Sequence, residues 1–496
     1  MEHARKTGSK WRSRAEQIQR LSILEEQIAA GSDAMEARID RAALLNAMDR
    51  RVEAKQALVE VLLHEPTNLR ALIELGNLLS SMGHNAAACR VYVEAIEHHP
   101  NSPVGHINLA NLLLLAGNYE SARDHYKTAL TLDPRHPQAH QGLGAALCAT
   151  GDRASAVAHF RAGFSGHSVV TLPYRGPQPP LPLLRLVSSG DGNIPTASFL
   201  DDRIFMTTVV VADFHDPSIP LPPHQLIFNA IGDADLCTPA LDAAARLIKQ
   251  TSAPVINHPS SVLKTARAAN VRRLNALRNV RAPKIVQIPR TILAGPGAAE
   301  VLSRHGFAFP LLLRSPGFHT GRNFLLLNDI TDLPAAIKNL PGRELLAIEY
   351  LDARGRDGNA RKYRAMFVDG HIFPLHTAIS RHWKVHYFTA DMADNPKHRV
   401  EDAAFLNDME STIGSKAMAA LSQIRDILAL DYGGIDFGIG PLGEVLVFEA
   451  NATMVVNPPD SDERWDYRRP AVDEILDAVK SMIVRTASST RLRNAG

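Results

Sequence analysis

The sequence holds only three cysteines, Cys89, Cys148 and Cys237, scattered over 496 residues. That excludes a disulfide framework, and no cysteine spacing suits a zinc site. Aromatic residues are sparse at 6%, and no apolar run approaches the roughly 18 residues a membrane-spanning helix needs. Neither sign of charge dominates. Against 54 Lys and Arg stand 52 Asp and Glu, a net +2 that argues against a dedicated nucleic-acid coat. There is no Gly-Lys dipeptide, so a Walker-type phosphate loop is excluded. The opening MEHARKTGSKWRSR is basic but leads into no apolar h-region. A reducing cytoplasm is therefore the expected location, with neither membrane nor nucleic acid among the partners. What is present, 45% apolar and 21% charged residues over this length, predicts about three ordinary globular domains.

Proline recurs at Pro66, Pro100 and Pro134, and glycine at Gly83, Gly117 and Gly151, all at intervals of 34 residues. Aligning on them gives four units, 35–68, 69–102, 103–136 and 137–170. The second carries Leu72, Leu75, Gly76, Leu79, Ala88, Tyr92, Ala95 and Pro100. The third carries His106, Leu109, Ala110, Leu113, Ala122, Tyr126, Ala129 and Pro134. The fourth keeps His140, Leu143, Gly144, Leu147, Ala156 and Phe160, and the first is degenerate. These positions resemble the tetratricopeptide repeat (TPR), a helix–turn–helix unit of 34 residues. Small residues let helices approach, Tyr92, Tyr126 and Phe160 fill the gap between neighbouring repeats, and a proline ends each second helix. An all-α solenoid is expected over 35–170, preceded in 1–34 by a basic segment and a capping helix. Such a solenoid offers a groove to a peptide or protein. Packing against the rest of its own chain, and homodimer formation, are the open alternatives. Cys89 and Cys148 fall within repeat helices as small core residues.

Residues 171–183 contain five prolines and read as a stiff linker. Beyond it the grammar changes. Strand-like runs at 183–188, 206–212, 225–231 and 254–257 surround a helical 238–250, predicting an α/β layer with parallel pairing. A basic helix follows at 267–278. A hairpin is expected from 311–314 to 324–327 with its tip at 315–323, then a helix at 331–339 and a strand at 344–351. A second hairpin joins 362–368 to 371–376 across Asp369-Gly370, a favoured turn pair. A long helix spans 402–428, a third hairpin pairs 434–439 with 444–451, and a helix over 471–485 closes the chain. The boundaries implied are an α/β domain at 184–285, an α+β domain at 286–486 and a tail at 487–496.

The segment GGIDFGIGPLGEVLVFEAN, 433–451, carries the chemistry. Gly438, Gly440 and Gly443 spell G-x-G-x-x-G, but Pro441 lies inside it and a strand follows where a dinucleotide site needs a helix. The glycines instead make a hairpin turn. With Pro441-Leu442 at its centre, Gly440 faces Gly443, Ile439 faces Glu444 and Asp436 faces Val447. Asp436, Val447, Glu449 and Asn451 then share one face. Two carboxylates and an amide oxygen inside an apolar hairpin require a cationic partner. An all-oxygen set suits Mg²⁺, with Mn²⁺ as the alternative, bound together with phosphates. A carboxylate pair satisfied by Lys or Arg is the structural alternative.

On these residues the stretch from about 183 to 485 resembles the ATP-grasp superfamily, which includes D-alanine–D-alanine ligase, glutathione synthetase and the ribosomal-protein glutamate ligases. The resemblance implies an α/β pre-ATP-grasp domain followed by an α+β ATP-grasp domain. It implies that Asp436, Glu449 and Asn451 hold the Mg²⁺ of Mg–ATP. The loop 315–323 would close over the phosphates, with Ser315, His319, Thr320 and Gly321 contacting them. The strand ending in Glu349, Tyr350 and Leu351 would meet adenine, Glu349 serving its amino group or the ribose. Arg314, and Arg267 or Arg272, stand where the family has phosphate-binding lysines; arginine keeps that capacity through its permanent forked charge. Lys362 would also face ATP, and Arg364, Arg381 and Lys384 would act at the reaction centre. Substrate selection falls to 377–387, where Arg381, His382, Lys384 and His386 surround Trp383; an exposed strand with Trp383 as core anchor is the alternative. Asn457 is a candidate for the substrate pocket, and Cys237 is read as structural. The activity implied is ATP-dependent ligation of a small carboxylate to an amine or thiol through an acyl phosphate, with the repeats recruiting a peptide or protein. The alternatives are ATP-grasp phosphotransfer, and a repeat scaffold carrying a non-catalytic nucleotide-binding fold.

Overall fold

The computed structural model describes residues 14–31, 34–316, 323–385 and 390–494. By their internal contacts the residues divide into two units, 1–191 with 200–225, and 192–199 with 226–496. The stretch 184–285 is shared between the two.

The first unit opens with helix α1, Arg14–Ala30. Four helix pairs follow: α2 Ala34–Ala47 with α3 Arg51–His64, α4 Leu69–Ser81 with α5 Asn85–His98, α6 Pro103–Leu115 with α7 Tyr119–Leu132, and α8 Pro137–Ala149 with α9 Arg153–Phe164. These are the four 34-residue units. Within the last three, the turn between paired helices passes through Gly83, Gly117 and Gly151, whose φ values of +82°, +78° and +93° favour glycine. Pro103 and Pro137 begin helices, where their missing N–H costs nothing.

The ring packing is tighter than pattern alone suggested. A Cβ added to Gly142 would lie 2.2 Å from the Tyr126 ring of the preceding repeat. One added to Gly76 would lie 2.3 Å from Tyr92, inside the same repeat. The rings therefore fill space within repeats as well as between them. Each tyrosine hydroxyl donates to an asparagine one helix back, Tyr92 to Asn77 at 2.8 Å and Tyr126 to Asn111 at 2.5 Å. At the solenoid's end, Phe160 and Phe164 pack on Phe214, with ring centroids 6.2 and 5.9 Å apart. Just beyond lie strands β1 Val169–Thr171, β2 Leu181–Val187 and β3 Phe205–Val211. β2 runs parallel to β3, and β1 pairs with β3 antiparallel. The last residues of the predicted linker, 181–183, therefore already belong to a strand.

In the second unit β4, Leu226–Asn229, pairs in parallel with β5, Val255–Ile256. Helix α10, Thr238–Leu247, lies between them in sequence, and α11 Pro259–Leu263 and α12 Arg267–Leu274 follow. After β6, Val280–Arg281, come β7 Ile285–Pro289, α13 Arg290–Leu293, α14 Ala298–Arg304, β8 Leu311–Arg314, β9 Phe324–Leu327, α15 Leu333–Asn339 and β10 Glu344–Glu349. The order β7-β10-β8-β9 makes an antiparallel sheet whose Leu311, Leu313 and Leu345 pack on Leu302 and Leu333. The strand β7 and the helices α13 and α14 were not anticipated.

A second sheet has the order β12-β11-β13-β14-β6. It contains β11 Ala360–Val368, β12 His371–Ser380, β13 Tyr432–Ile439 and β14 Val445–Asn451. The β11–β12 turn forms at Asp369-Gly370 as expected, both residues having positive φ. Two expectations fail here. The single helix over 402–428 is three, α16 Pro396–Asn407, α17 Met409–Ile413 and α18 Ser415–Leu428. Asp408 caps the second by accepting from Ser411 N, and Gly414, at φ +86°, separates it from the third. The register of the β13–β14 hairpin also differs. Its loop closes with Gly440 N donating to Glu444 O, and a bulge at Phe448 shifts the pairing beyond it. Asp436 therefore faces Glu449, and Val447 faces Phe437. Helix α19, Arg469–Asn494, ends the chain.

Candidate functional site

The corrected register sharpens the charge arrangement. Four side chains form one row across neighbouring strands: His376 on β12 faces Arg364 on β11, Arg364 faces Asp436 on β13, and Asp436 faces Glu449 on β14. Asp436 is buried, at 4% exposure, and two cations hold it. Arg364 donates to Oδ1 at 2.5 Å and to Oδ2 at 2.8 Å, and Lys362 Nζ donates to Oδ2 at 2.9 Å. Burial alone would raise this carboxyl; the two cations overcome that and hold it far below the usual carboxylate range. His376 is pushed well below its ordinary value by burial and by the neighbouring Arg364, so it is neutral.

Glu449 is tied to a different set. Its Oε1 accepts from Asn451 Nδ2 at 3.0 Å and from Arg267 Nη2 at 3.4 Å. Burial works against its ionisation, and Arg267, Arg314 and Arg364 together more than offset that. Asn451 Oδ1 in turn accepts from the backbone N and hydroxyl of Thr453, both at 2.9 Å. The predicted metal set thus converges. Among the described residues, however, no group of three or more His, Cys, Asp or Glu gathers as a metal cage. The structural alternative, carboxylates met by Lys and Arg, describes the contacts that are present.

Helix α12 places Arg267. Asn270 Nδ2 donates to Ala450 O at 2.9 Å, which pins the helix to β14 with Arg267 beside Glu449. Arg272, the alternative position, is exposed instead. Arg314 ends β8 and is driven down to about 10 by burial and by the nearby Arg267. Two guanidiniums brought together against burial make a strong anion-attracting feature. Arg314 also lies 5.8 Å over the Phe324 ring, and Trp383 meets the same ring edge-on at 5.4 Å. The aromatic packing therefore draws the 381–384 segment toward the base of the β8–β9 hairpin.

The other predicted residues vary. At the base of the hairpin tip, Ser315 N donates to Asn323 O at 3.1 Å. The Ser315 hydroxyl, however, points to structure, donating to Pro341 O at 2.6 Å. His319, Thr320, Gly321 and His386 lie outside the described residues. The Glu349 carboxylate is held by Arg281 at 2.6 Å and by Lys284 N at 3.0 Å. Tyr350 is half-buried, and Leu351 packs with Ala353 and Leu446. Arg381 and Lys384 are exposed beyond the end of β12, and Asn457 is exposed. Cys237 is buried, in line with a structural reading.

Sequence reasoning missed Asp233, Asp235, Asn270 and His376. The loop Gly232-Asp233-Ala234-Asp235 follows β4 after Ala230 and Ile231, and Gly232 packs so closely on Ala452 and Thr453 that a Cβ there would sit 2.8 Å from Thr453. Asp235 then accepts from Arg267 N at 3.3 Å. An acidic pair shortly after a buried strand was the available signal. Asp233, Arg267, Asn270, Ile285, Phe448 and Glu449 line one cleft. A roomier cavity of about 400 Å³ lies at Ala353, Arg356, Asp357 and Arg361 and includes none of the metal set. There Arg361 is held between Asp357 and Glu401.

Residues 73–134 and 113–163 match the tetratricopeptide repeat family. Residues 73–163 are tetratricopeptide repeats. Neither match extends past residue 163. Solved structures similar to this chain include MamA from Desulfovibrio magneticus RS-1, at 20% identity over 30% of this chain and 83% of that one, with a TM-score of 0.27. A thermophilic TPR protein of Thermus thermophilus aligns at 16% identity over 31% and 84%, with a TM-score of 0.28. A TPR protein from Parabacteroides merdae aligns at 14% over 31% and 60%, also with a TM-score of 0.28. A search of curated proteins returned no match. Among the described residues, no helix is long and apolar enough to cross a membrane.

Proposed function

We propose that the mixed α/β region is an ATP-grasp ligase that joins a carboxylate to an amine or thiol through an acyl phosphate, and that the repeats recruit a peptide or protein to it. The observation that carries this reading is the pairing of Asp436 with Glu449 across β13 and β14, next to Asn451, Arg267 and Arg314. The donors are all oxygen, which fits Mg²⁺ in type. Asp436, Glu449 and Asn451 would hold the ion, whose contribution is to neutralise the charge of the transferring phosphoryl group. Arg267 and Arg314 would bind phosphate oxygens, and Arg364 and Lys362 would offset charge at the acyl phosphate.

The double ion pair on Asp436 favours a second reading, a repeat scaffold that binds nucleotide without turning it over. Incubation with Mg–ATP and a panel of carboxylic acids and amines, assayed for ADP and free phosphate, separates the two. The ligase releases both in equal amounts. Asp436→Asn and Glu449→Gln should abolish that turnover while the circular dichroism spectrum is unchanged. Nucleotide binding without turnover supports the scaffold, and phosphate retained on the acid indicates phosphotransfer. Absence of nucleotide binding ends the ATP-grasp reading altogether.

A further inference from the structure

Helices α6 and α7 bring His106 and His125 together with their Nδ1 atoms 3.0 Å apart. At the same positions of the next repeat, α8 and α9 bring His140 and His159 to 2.9 Å. The rings are 5.3 and 5.2 Å apart, tilted by 36° and 32°, and all four are half-buried. His140 Nε2 lies 3.0 Å from the Pro134 carbonyl, so it must donate there, and in the neutral ring Nδ1 is then the bare nitrogen, facing His159. A ring nitrogen anchored to a carbonyl while the other is bare is the arrangement that orients metal-ligating histidines. Repeat packing does not require imidazoles here. The second repeat has Leu72 and Val91 at the corresponding positions and forms the same helix pair.

With metal–nitrogen bonds of about 2.0–2.1 Å, nitrogens at these separations subtend roughly 90° at the metal. That is the cis angle of square-planar or tetragonal sites, which Cu²⁺ and Ni²⁺ prefer, and it is narrower than tetrahedral Zn²⁺ requires. We propose that each histidine pair is a two-nitrogen chelate for Cu²⁺ or Ni²⁺, with water completing the coordination. On binding, the proton shared within each pair moves to the outer ring nitrogen, so both Nδ1 atoms coordinate. Asp124 and Lys127 are the charged neighbours that act on these rings. The sites are open, two-point ones, in keeping with the lack of any larger metal-ligating cluster among the described residues.

The test is titration of the full-length chain with CuSO₄ and NiCl₂ by calorimetry, with electron paramagnetic resonance for Cu²⁺. His106→Leu/His125→Val, copied from the second repeat, and His140→Leu/His159→Val should each keep the helical spectrum and each lose one equivalent. Other histidines contribute equally to every form, so the difference between forms is the readout. Uptake that is absent, or equal in all three forms, overturns the proposal, and tighter binding of Zn²⁺ than of Ni²⁺ overturns its geometry. Should a double variant unfold, the single substitutions His106→Asn and His140→Asn take its place, and the Cu²⁺ difference spectrum between wild type and variant decides. Coupling to two imidazole nitrogens per ion supports the chelate, and coupling to one or none refutes it.

Discussion

Arg364 sits directly opposite Asp436 and grips both oxygens of its carboxylate from the neighbouring strand. Asp436 is almost wholly buried, so the pair is shielded from water and from salt. Removing one partner of a buried pair leaves an uncompensated charge, which is where such pairs matter most. Arg364→Met should therefore cost about 3 kcal/mol in urea denaturation, toward the low end for buried pairs because Lys362 keeps one contact. Adding Asp436→Asn together with Lys362→Met should recover much of the loss, because no charge is then left without its partner. A cost below about 0.5 kcal/mol would mean the carboxylate is solvated in solution.

Asp402, on α16, holds β12 in place. It accepts from Thr377 N at 2.6 Å and from Tyr467 OH at 2.7 Å, with Arg468 Nε at 3.6 Å. Burial raises its carboxyl to about 6 despite these partners. In the unfolded chain it ionises near 3.8. Between those values the folded chain binds more protons, so raising the pH favours unfolding. Relative to Asp402→Asn, the wild type should lose up to about 3 kcal/mol of stability between pH 4 and pH 7. Parallel stability curves for the two forms would place the carboxyl at its ordinary value.

The histidine pairs have the opposite sign. Burial lowers His106, His125 and His159 from 6.5, and each partner ring adds to the effect on His106 and His159. Below pH 6.5 the unfolded chain therefore takes up more protons than the folded one, and acid favours unfolding. The wild type should lose thermal stability as the pH falls from 7 toward 5. His106→Leu/His125→Val should lose less over the same range. Equal losses would show that the pairs do not govern acid stability.

The repeats and hairpins were legible because their signals are local. A period of 34, an Asp-Gly turn and a glycine-rich hairpin loop each lie within one short window. The breaks at Asp408 and Gly414 were also written locally, as a cap and a left-handed glycine, but a continuous apolar pattern masked them. The bulge at Phe448 was different. It answers to pairing across the sheet; together with a turn that closes Gly440 on Glu444 instead of Gly443, it puts Glu449 rather than Val447 opposite Asp436. Residue types did identify Asp436, Glu449 and Asn451 as convergent. They did not say that Lys362 and Arg364, more than seventy positions away in sequence, would take both oxygens of Asp436.

The last complete repeat breaks a pattern that its neighbours keep. Tyr92 bonds Asn77 and Tyr126 bonds Asn111, yet the corresponding pair in the fourth repeat is Phe160 and Ala145, which pack without a hydrogen bond in the same apolar cluster. The hydroxyl and its acceptor have been lost together, as expected when neither is tolerable alone in a buried site. Phe160→Tyr by itself should therefore cost about 1–3 kcal/mol, because its hydroxyl meets Ala145 where an asparagine oxygen is needed. Adding Ala145→Asn should restore the bond seen in the two preceding repeats. The double-mutant cycle should give a favourable coupling of about 1 kcal/mol in urea denaturation. Additive effects would show that the new hydroxyl had found water, and that the tyrosine–asparagine rungs owe their stability to ring packing rather than to the hydrogen bond.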